Sequence, residues 1–267
     1  MAKKIIDFHT HAFSDDLAPK AMKALTEHHP EIPYFLDSTI GSLLKSMDKA
    51  GIERSVICSI ATKPRQFQPI FDWSKQIQSD RIIPFGSVHP TDPERDGHIK
   101  QIAEAGLKGI KMHPYYQDFY LDDELMFEFY EQVCKYDLIL VMHTGFDIAF
   151  EFIDRACPAR ILNVMKKFPE LKLVTTHFGA WQQWDEVADE IIGRDIYMEI
   201  SFALDYLPVP KAKALLEKHP ADYILFGTDS PWRDQQETLN LLNKLNLSPD
   251  RMGKILYGNA KRLLGIN

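Results

Sequence analysis

Lys4-Ile5-Ile6-Asp7-Phe8-His9-Thr10-His11 decides how the chain is read, because an apolar, β-prone run ends abruptly in two histidines one residue apart. Successive side chains on a strand alternate faces, so His9 and His11 point the same way and Thr10 points away. Two imidazoles side by side at a strand's end can close on one metal ion with little backbone adjustment. An exposed strand end that carries two histidines by accident has the same local sequence, so His-x-His alone does not decide between them. The pattern downstream does.

Beyond this stretch, short apolar runs alternate with longer amphipathic ones. After the first strand the pattern predicts strands over residues 54–60, 82–88, 107–112, 138–142, 171–176, 196–200 and 223–226. Helices are expected over 38–50, 69–78, 97–105, 123–136, 158–168, 181–192 and 211–218, with further helices closing the chain. Pro84 is awkward inside its strand. Residues 12–37 read as the longest irregular connection. Eight strand–helix repeats with solidly apolar strands point to a parallel sheet covered by helices. A closed (β/α)₈ barrel needs about 250 residues, and the chain has 267. An open doubly wound sheet is the competitor, but no Gly-x-Gly-x-x-Gly turn follows the first strand. No linker rich in Gly, Ser or Pro interrupts residues 1–267, so a single domain is expected.

A formal net charge of −7 argues against a chain that coats nucleic acid or an anionic membrane. No apolar run is long enough to span a bilayer, and since Met1-Ala2-Lys3-Lys4 leads directly into the first strand, no signal peptide is expected. Cys58, Cys134 and Cys157 are odd in number and far apart, which disfavours a disulfide framework or a cysteine zinc site. The expectation is a cytoplasmic protein with a small-molecule partner; a homo-oligomer is compatible with the sequence.

Polar residues collect where the strands end. His9 and His11 end the first, His89 the third, Lys111 with His113 the fourth, His143 the fifth, His177 the sixth and Asp229 the eighth. His28, His29, His98 and His219 lie elsewhere. In a barrel of this type active sites sit at the C-terminal ends of the strands, so these scattered residues converge. Neutral imidazoles with one carboxylate suit zinc or a similar divalent ion, with a position left for water.

The ordered set Asp7-Phe-His-Thr-His11, Gly109-Ile-Lys-Met-His-Pro114, Met142-His-Thr-Gly145, Thr176-His-Phe-Gly179 and Phe226-Gly-Thr-Asp-Ser-Pro231 resembles the amidohydrolase superfamily. The likeness is to its amidohydrolase-related branch, the one that includes aminocarboxymuconate-semialdehyde decarboxylase. Tyr257-Gly-Asn-Ala-Lys-Arg-Leu-Leu264 is similar to the family's C-terminal helix. Any one motif is weak; the ordered set spans the chain.

The resemblance implies a metal held by His9, His11, His143 and Asp229, with His177 and Asp229 managing protons. Histidine is suited to that task because its unperturbed pKa lies near neutrality. Each has a plainer alternative: a helix N-cap for Asp229, a satisfied core histidine for His143, a structural hydrogen bond for His177. Lys111 has the parity of His113 and so faces inward. Some superfamily members carry a carboxylated lysine at a similar place between two metals; an unmodified lysine, paired with Asp7 or Glu199 or binding substrate anions, is the expectation here, and with it one ion. His113, Trp181 and Arg233 are candidate substrate contacts, the arginine because a guanidinium matches a carboxylate bidentately. Trp184 suits pocket wall or core equally, and His89 reads as structural.

The implied activity is metal-dependent hydrolysis of a small ester, lactone or amide. Non-oxidative decarboxylation of a carboxylated ring or enol needs the same residues and stays open. A scaffold without turnover would not require His177 and an open ligand set.

Overall fold

A computed structural model describes residues 4–27 and 32–266. The expectations that concern residues 1–3, His28 and His29 lie outside the described residues. In chain order the elements are β1 (Ile6–Thr10), α1 (Ala18–Thr26), α2 (Ile40–Ala50), β2 (Arg54–Cys58), α3 (Phe67–Ile77), β3 (Ile82–Phe85), α4 (Arg95–Glu104), β4 (Gly109–Met112), α5 (Phe127–Lys135) and β5 (Ile139–Met142). They continue with α6 (Pro158–Lys167), β6 (Lys172–Thr175), α7 (Trp184–Glu186), β7 (Tyr197–Glu199), α8 (Val209–Lys218), β8 (Ile224–Leu225), α9 (Gln235–Lys244), α10 (Pro249–Gly253) and α11 (Asn259–Leu264). Among the described residues, those up to Ile57 with Ser79–Ile83 and those from Glu199 onward make one compact unit, and Cys58–Gln78 with Pro84–Met198 a second.

In the first unit β1 runs parallel to β2, with Ile6 opposite Arg54 and Asp7 opposite Ser55, but Thr10 stands opposite Ile57. Three residues of β1 thus span two of β2, and the extra residue falls where the histidines begin. Such a bulge bends a strand and re-aims its side chains. The other edge of β1 meets the β8 segment, with Phe8 N–H donating to Phe226 O at 2.8 Å and Asp229 N–H to His9 O at 2.8 Å. Ile6, Phe8, Val56, Ile57 and Leu225 are buried, as strands covered on both faces require. α2 is a well-specified helix: Thr39 caps its start by accepting from Ser42 N–H, Leu43, Met47 and Ala50 form its buried stripe, and Gly51 ends it at φ 70°.

In the second unit β4, β5 and β6 pair in unbroken parallel register, Gly109 opposite Ile139 and Ile139 opposite Lys172. β6 continues to β7 through Val174 opposite Tyr197. All four residues of β5 are buried. α6 begins with Pro158 in its first turn, where the missing N–H costs nothing, buries Ile161 and Val164, and ends in Lys166 and Lys167 beside the negative end of its dipole.

The strands are shorter than expected, and β3 accepts Pro84, which is buried. The connection over 12–37 is not wholly irregular, since α1 forms there. Its alanines favour a helix, and Ala18 and Met22, four residues apart, supply the buried face. The helix expected over 181–192 starts only at Trp184, because Gln182 takes φ 57°, and it continues as a wider π turn over Val187–Ile191. Among the described residues no helix is long and apolar enough to cross a membrane.

Candidate metal centre

In the first unit, His9, His11 and Asp229 meet. His9 Nε2 lies 3.1 Å from His11 Nε2 and 3.5 Å from Asp229 Oδ1, and His11 Nε2 lies 3.1 Å from the same oxygen. Around a four-coordinate ion with ligands at about 2.0–2.1 Å, neighbouring donor atoms stand roughly 3.3–3.4 Å apart. The three contacts bracket that spacing. Asp229 reaches its place from a backbone at φ 62°, just beyond β8. His11 N–H donates to Ser230 O at 2.6 Å, which ties the end of β1 to the same segment.

The tautomer of His9 follows from its partners. Ser201 N–H donates to Glu199 Oε2 at 2.6 Å, and Ser201 Oγ to Glu199 Oε1 at 2.8 Å, so the carboxylate is an acceptor. His9 Nδ1 stands 3.0 Å from Glu199 Oε1 and therefore carries the proton, leaving the Nε2 lone pair facing His11 and Asp229. One layer deeper, Asp7 accepts from Thr228 N–H at 3.0 Å, Thr228 Oγ1 at 2.6 Å, Gln235 Nε2 at 2.8 Å and His9 N–H at 3.3 Å. Complete burial nevertheless pushes its carboxyl up to about 7.

The second unit gathers His113, His143 and His177. Phe146 O can only accept, so His143 Nε2, 2.8 Å away, carries the proton and Nδ1 the lone pair. His177 Nε2 lies 3.1 Å from that Nδ1 and donates to it. Burial, followed by the neighbouring His113 and His177, holds His143 well below the usual histidine range, so it stays neutral. His113 stacks on His143 with centroids 4.0 Å apart and planes at 16°, and its Nε2 lies 3.0 Å from Asp147 Oδ2. Two histidines and an aspartate this close invite a metal reading, but near-parallel rings aim their in-plane lone pairs side by side rather than at one point. The arrangement is a hydrogen-bonded stack.

Backbone geometry sets this second cluster. His177, Phe178 and Gly179 take φ 56°, 63° and 93° in succession, and left-handed non-glycine residues are uncommon outside functional or tightly constrained segments. Gly145, at φ 81°, bridges to Trp181, and a Cβ there would lie 2.0 Å from Trp181 N. That contact fixes the turn carrying Phe146 O. Trp184 Nε1 donates to His177 O at 3.1 Å. A pocket is lined by Phe146, Asp147, Ile148, Phe150, Phe152 and Trp181; Ile148, Phe150 and Phe152 are exposed.

Lys111 is buried on β4, and Trp181 is buried. Arg233 is occupied: Nε lies 3.0 Å from Asp205 Oδ2, Nη2 2.8 Å from Tyr206 OH, and the guanidinium sits 3.9 Å from the Phe202 ring. His89 contacts Thr91 Oγ1 at 3.0 Å, and burial lowers its pKa. Sequence reasoning named Glu199 and Asp7 only as partners for Lys111, and missed Ser201 and Asp147 altogether. A carboxylate inside the apolar run Ile196-Tyr-Met-Glu-Ile200 was the available signal for Glu199.

The sequence matches the amidohydrolase family over residues 6–266. Among proteins with curated descriptions none matches. Solved structures do. An uncharacterised TIM-barrel protein from Bordetella bronchiseptica shares 22% identity at a TM-score of 0.78, with 98% of each chain covered. 5-Carboxyvanillate decarboxylase from Sphingomonas paucimobilis shares 14% identity at a TM-score of 0.76, covering 99% of this chain and 100% of its own. A dihydroxybenzoic acid decarboxylase from Polaromonas, solved with manganese and the inhibitor 2-nitroresorcinol, shares 16% identity at a TM-score of 0.72, covering 98% and 97%. At these identities the likeness shows the fold, an α/β TIM barrel.

Proposed function

This chain belongs to the amidohydrolase family, and we propose that it is a metal-dependent hydrolase of a small neutral ester, lactone or amide. The observation that carries the reading is the set of two imidazole nitrogens and one carboxylate oxygen spaced 3.1–3.5 Å apart, with the His9 tautomer fixed by a buried carboxylate. That donor set suits zinc, although manganese is the ion in the Polaromonas relative. His9, His11 and Asp229 would hold the ion. When bound, the ion supplies a water of lowered pKa and polarises the attacked carbonyl. His177 would give the proton at Nε2 to the leaving group and recover one from the attacking water. His143 stays neutral and keeps a lone pair on Nδ1. Lys111 is proposed to be unmodified. Cys58, Cys134 and Cys157, odd in number and far apart in the sequence, favour a reducing compartment, the cytoplasm.

Decarboxylation is the second reading, favoured by the named activities of the Sphingomonas and Polaromonas relatives. Against it stand Arg233, whose guanidinium is engaged by Asp205, and the carboxylate of Asp147 on the aromatic pocket. The deciding experiment is metal analysis of the purified protein, followed by a screen of neutral lactones, esters, amides and carboxylated aromatics. Water incorporated without CO₂ supports hydrolysis; CO₂ without net water uptake replaces it with the lyase.

A further inference from the structure

We infer that Glu199 is a positioning residue that sets the metal affinity of the centre through His9, and that Gly227 is the spacer that makes room for it. The inference rests on the metal reading above and deepens it. Glu199 is fully buried and clamped on both oxygens by Ser201. Its Oε1 faces His9 Nδ1 at 3.0 Å, and Ser201 Oγ lies 3.2 Å from the same nitrogen. A carboxylate accepting from the remote nitrogen of an imidazole fixes the ring plane and raises the donor strength of the other nitrogen. Charge points the same way: a dication among buried groups is costly until matched, and Asp229 with Glu199 supplies two negative charges beside it.

Gly227 shows how tightly the carboxylate is seated. A Cβ at this position would lie 2.3 Å from Glu199 Oε2, 3.1 Å from Glu199 Cδ and 3.1 Å from His9 Cβ. Its backbone lies outside the left-handed region, so an alanine there is excluded by the carboxylate and not by φ. The Phe226-Gly-Thr-Asp run thus does two things: it delivers Asp229 as a ligand and leaves the space that lets Glu199 reach His9.

Three variants test this in the full chain, with Co²⁺ as the probe: Glu199→Gln, Gly227→Ala and, as a spacer control, Gly253→Ala, where an added Cβ meets nothing within 4 Å. Affinity is read by competition with a chelator, and ligand geometry by the visible absorption of bound Co²⁺. Glu199→Gln removes the charge and sets an amide N–H against either Ser201 N–H or His9 Nδ1–H. It should weaken Co²⁺ binding by about 10–100-fold, the range for losing an outer-shell partner of a metal-bound histidine, and shift the absorption band. Gly227→Ala keeps the charge but displaces the carboxylate, and should weaken binding and shift the band as well. Gly253→Ala should do neither. Variants that melt earlier yet bind Co²⁺ with wild-type affinity and spectrum would reduce Glu199 to a structural role and overturn the inference. If Glu199→Gln does not fold, Gly227→Ala alone decides by the same two readouts. A wild-type chain that binds no divalent ion overturns the metal reading itself, an outcome distinct from variants that match a metal-binding wild type.

Discussion

The two histidine clusters use one residue type and differ in what fixes the proton. Beside Asp229, a carboxylate accepts from His9 Nδ1–H, and the Nε2 lone pair faces His11 Nε2 and Asp229 Oδ1. Beside Phe146, a carbonyl accepts from His143 Nε2–H, and a second histidine donates to its Nδ1. The first cluster gathers two imidazole nitrogens and a carboxylate oxygen at the spacing a cation needs; the second links N–H groups and lone pairs in series, as proton exchange requires. Which partner each imidazole meets, not the histidine itself, divides the chemistry.

The widest gap between the clusters should open on metal content. Replacing His9 and His11 by Ala should abolish stoichiometric metal in a chain that stays folded, measured by elemental analysis and circular dichroism. Full occupancy in that double variant would erase the distinction. Next in size is His177→Asn. Loss of a general acid or base costs roughly 10²–10⁴-fold in turnover, so activity should fall by that amount while metal content holds, and one limb of the pH–rate profile should vanish. A stoichiometric loss of metal would make His177 a ligand and merge its role with that of His9.

A smaller effect separates the clusters by the sign of their pH dependence in metal-free protein. Asp7 has its folded pKa raised from 3.8 to about 7 by burial, so its contribution to stability is fully present below 3.8 and is lost as pH rises through about 7. On the linkage relation that loss is on the order of 2 kcal/mol between pH 5 and 8. Asp7→Asn should flatten this slope in denaturant melts. The variant should be tolerated, because the buried Gln235 Oε1 has no hydrogen-bond partner among the described residues and a flipped Gln235 amide accepts from the new N–H. His143 runs the other way: its folded pKa is depressed, so stability is present above 6.5 and falls as pH drops below it. His143→Gln should flatten that acidic limb. If either substitution changes the limb assigned to the other, the two clusters titrate as one.

Much of this was legible. The strand-end histidines stood out because a strand that is apolar throughout makes its first polar residue conspicuous. The barrel followed from repeated alternation, and the family from the order of the motifs. What sequence could not give is direction. His177 and Asp229 leave their strands in the left-handed region, and β1 carries an extra residue, so side-chain alternation no longer says where they aim. The helix at Ala18–Thr26 was hidden because only Ala18 and Met22 mark its buried face. Glu199 and Asp147 went unassigned because the histidines they face, His9 and His113, are more than 30 residues away in the chain.

Gly145 bears on how this chain can change over generations. No side chain fits between it and the Trp181 backbone, and the turn it permits carries the carbonyl that orients His143. The loops around residues 145 and 181 therefore cannot drift separately. An insertion in one is viable only with a matching change in the other. In a library of random variants, position 145 should tolerate no replacement, while the exposed Phe150 and Phe152 a few residues on accept many. New substrate preferences would then arise in the outer part of that loop, with its root inherited unchanged.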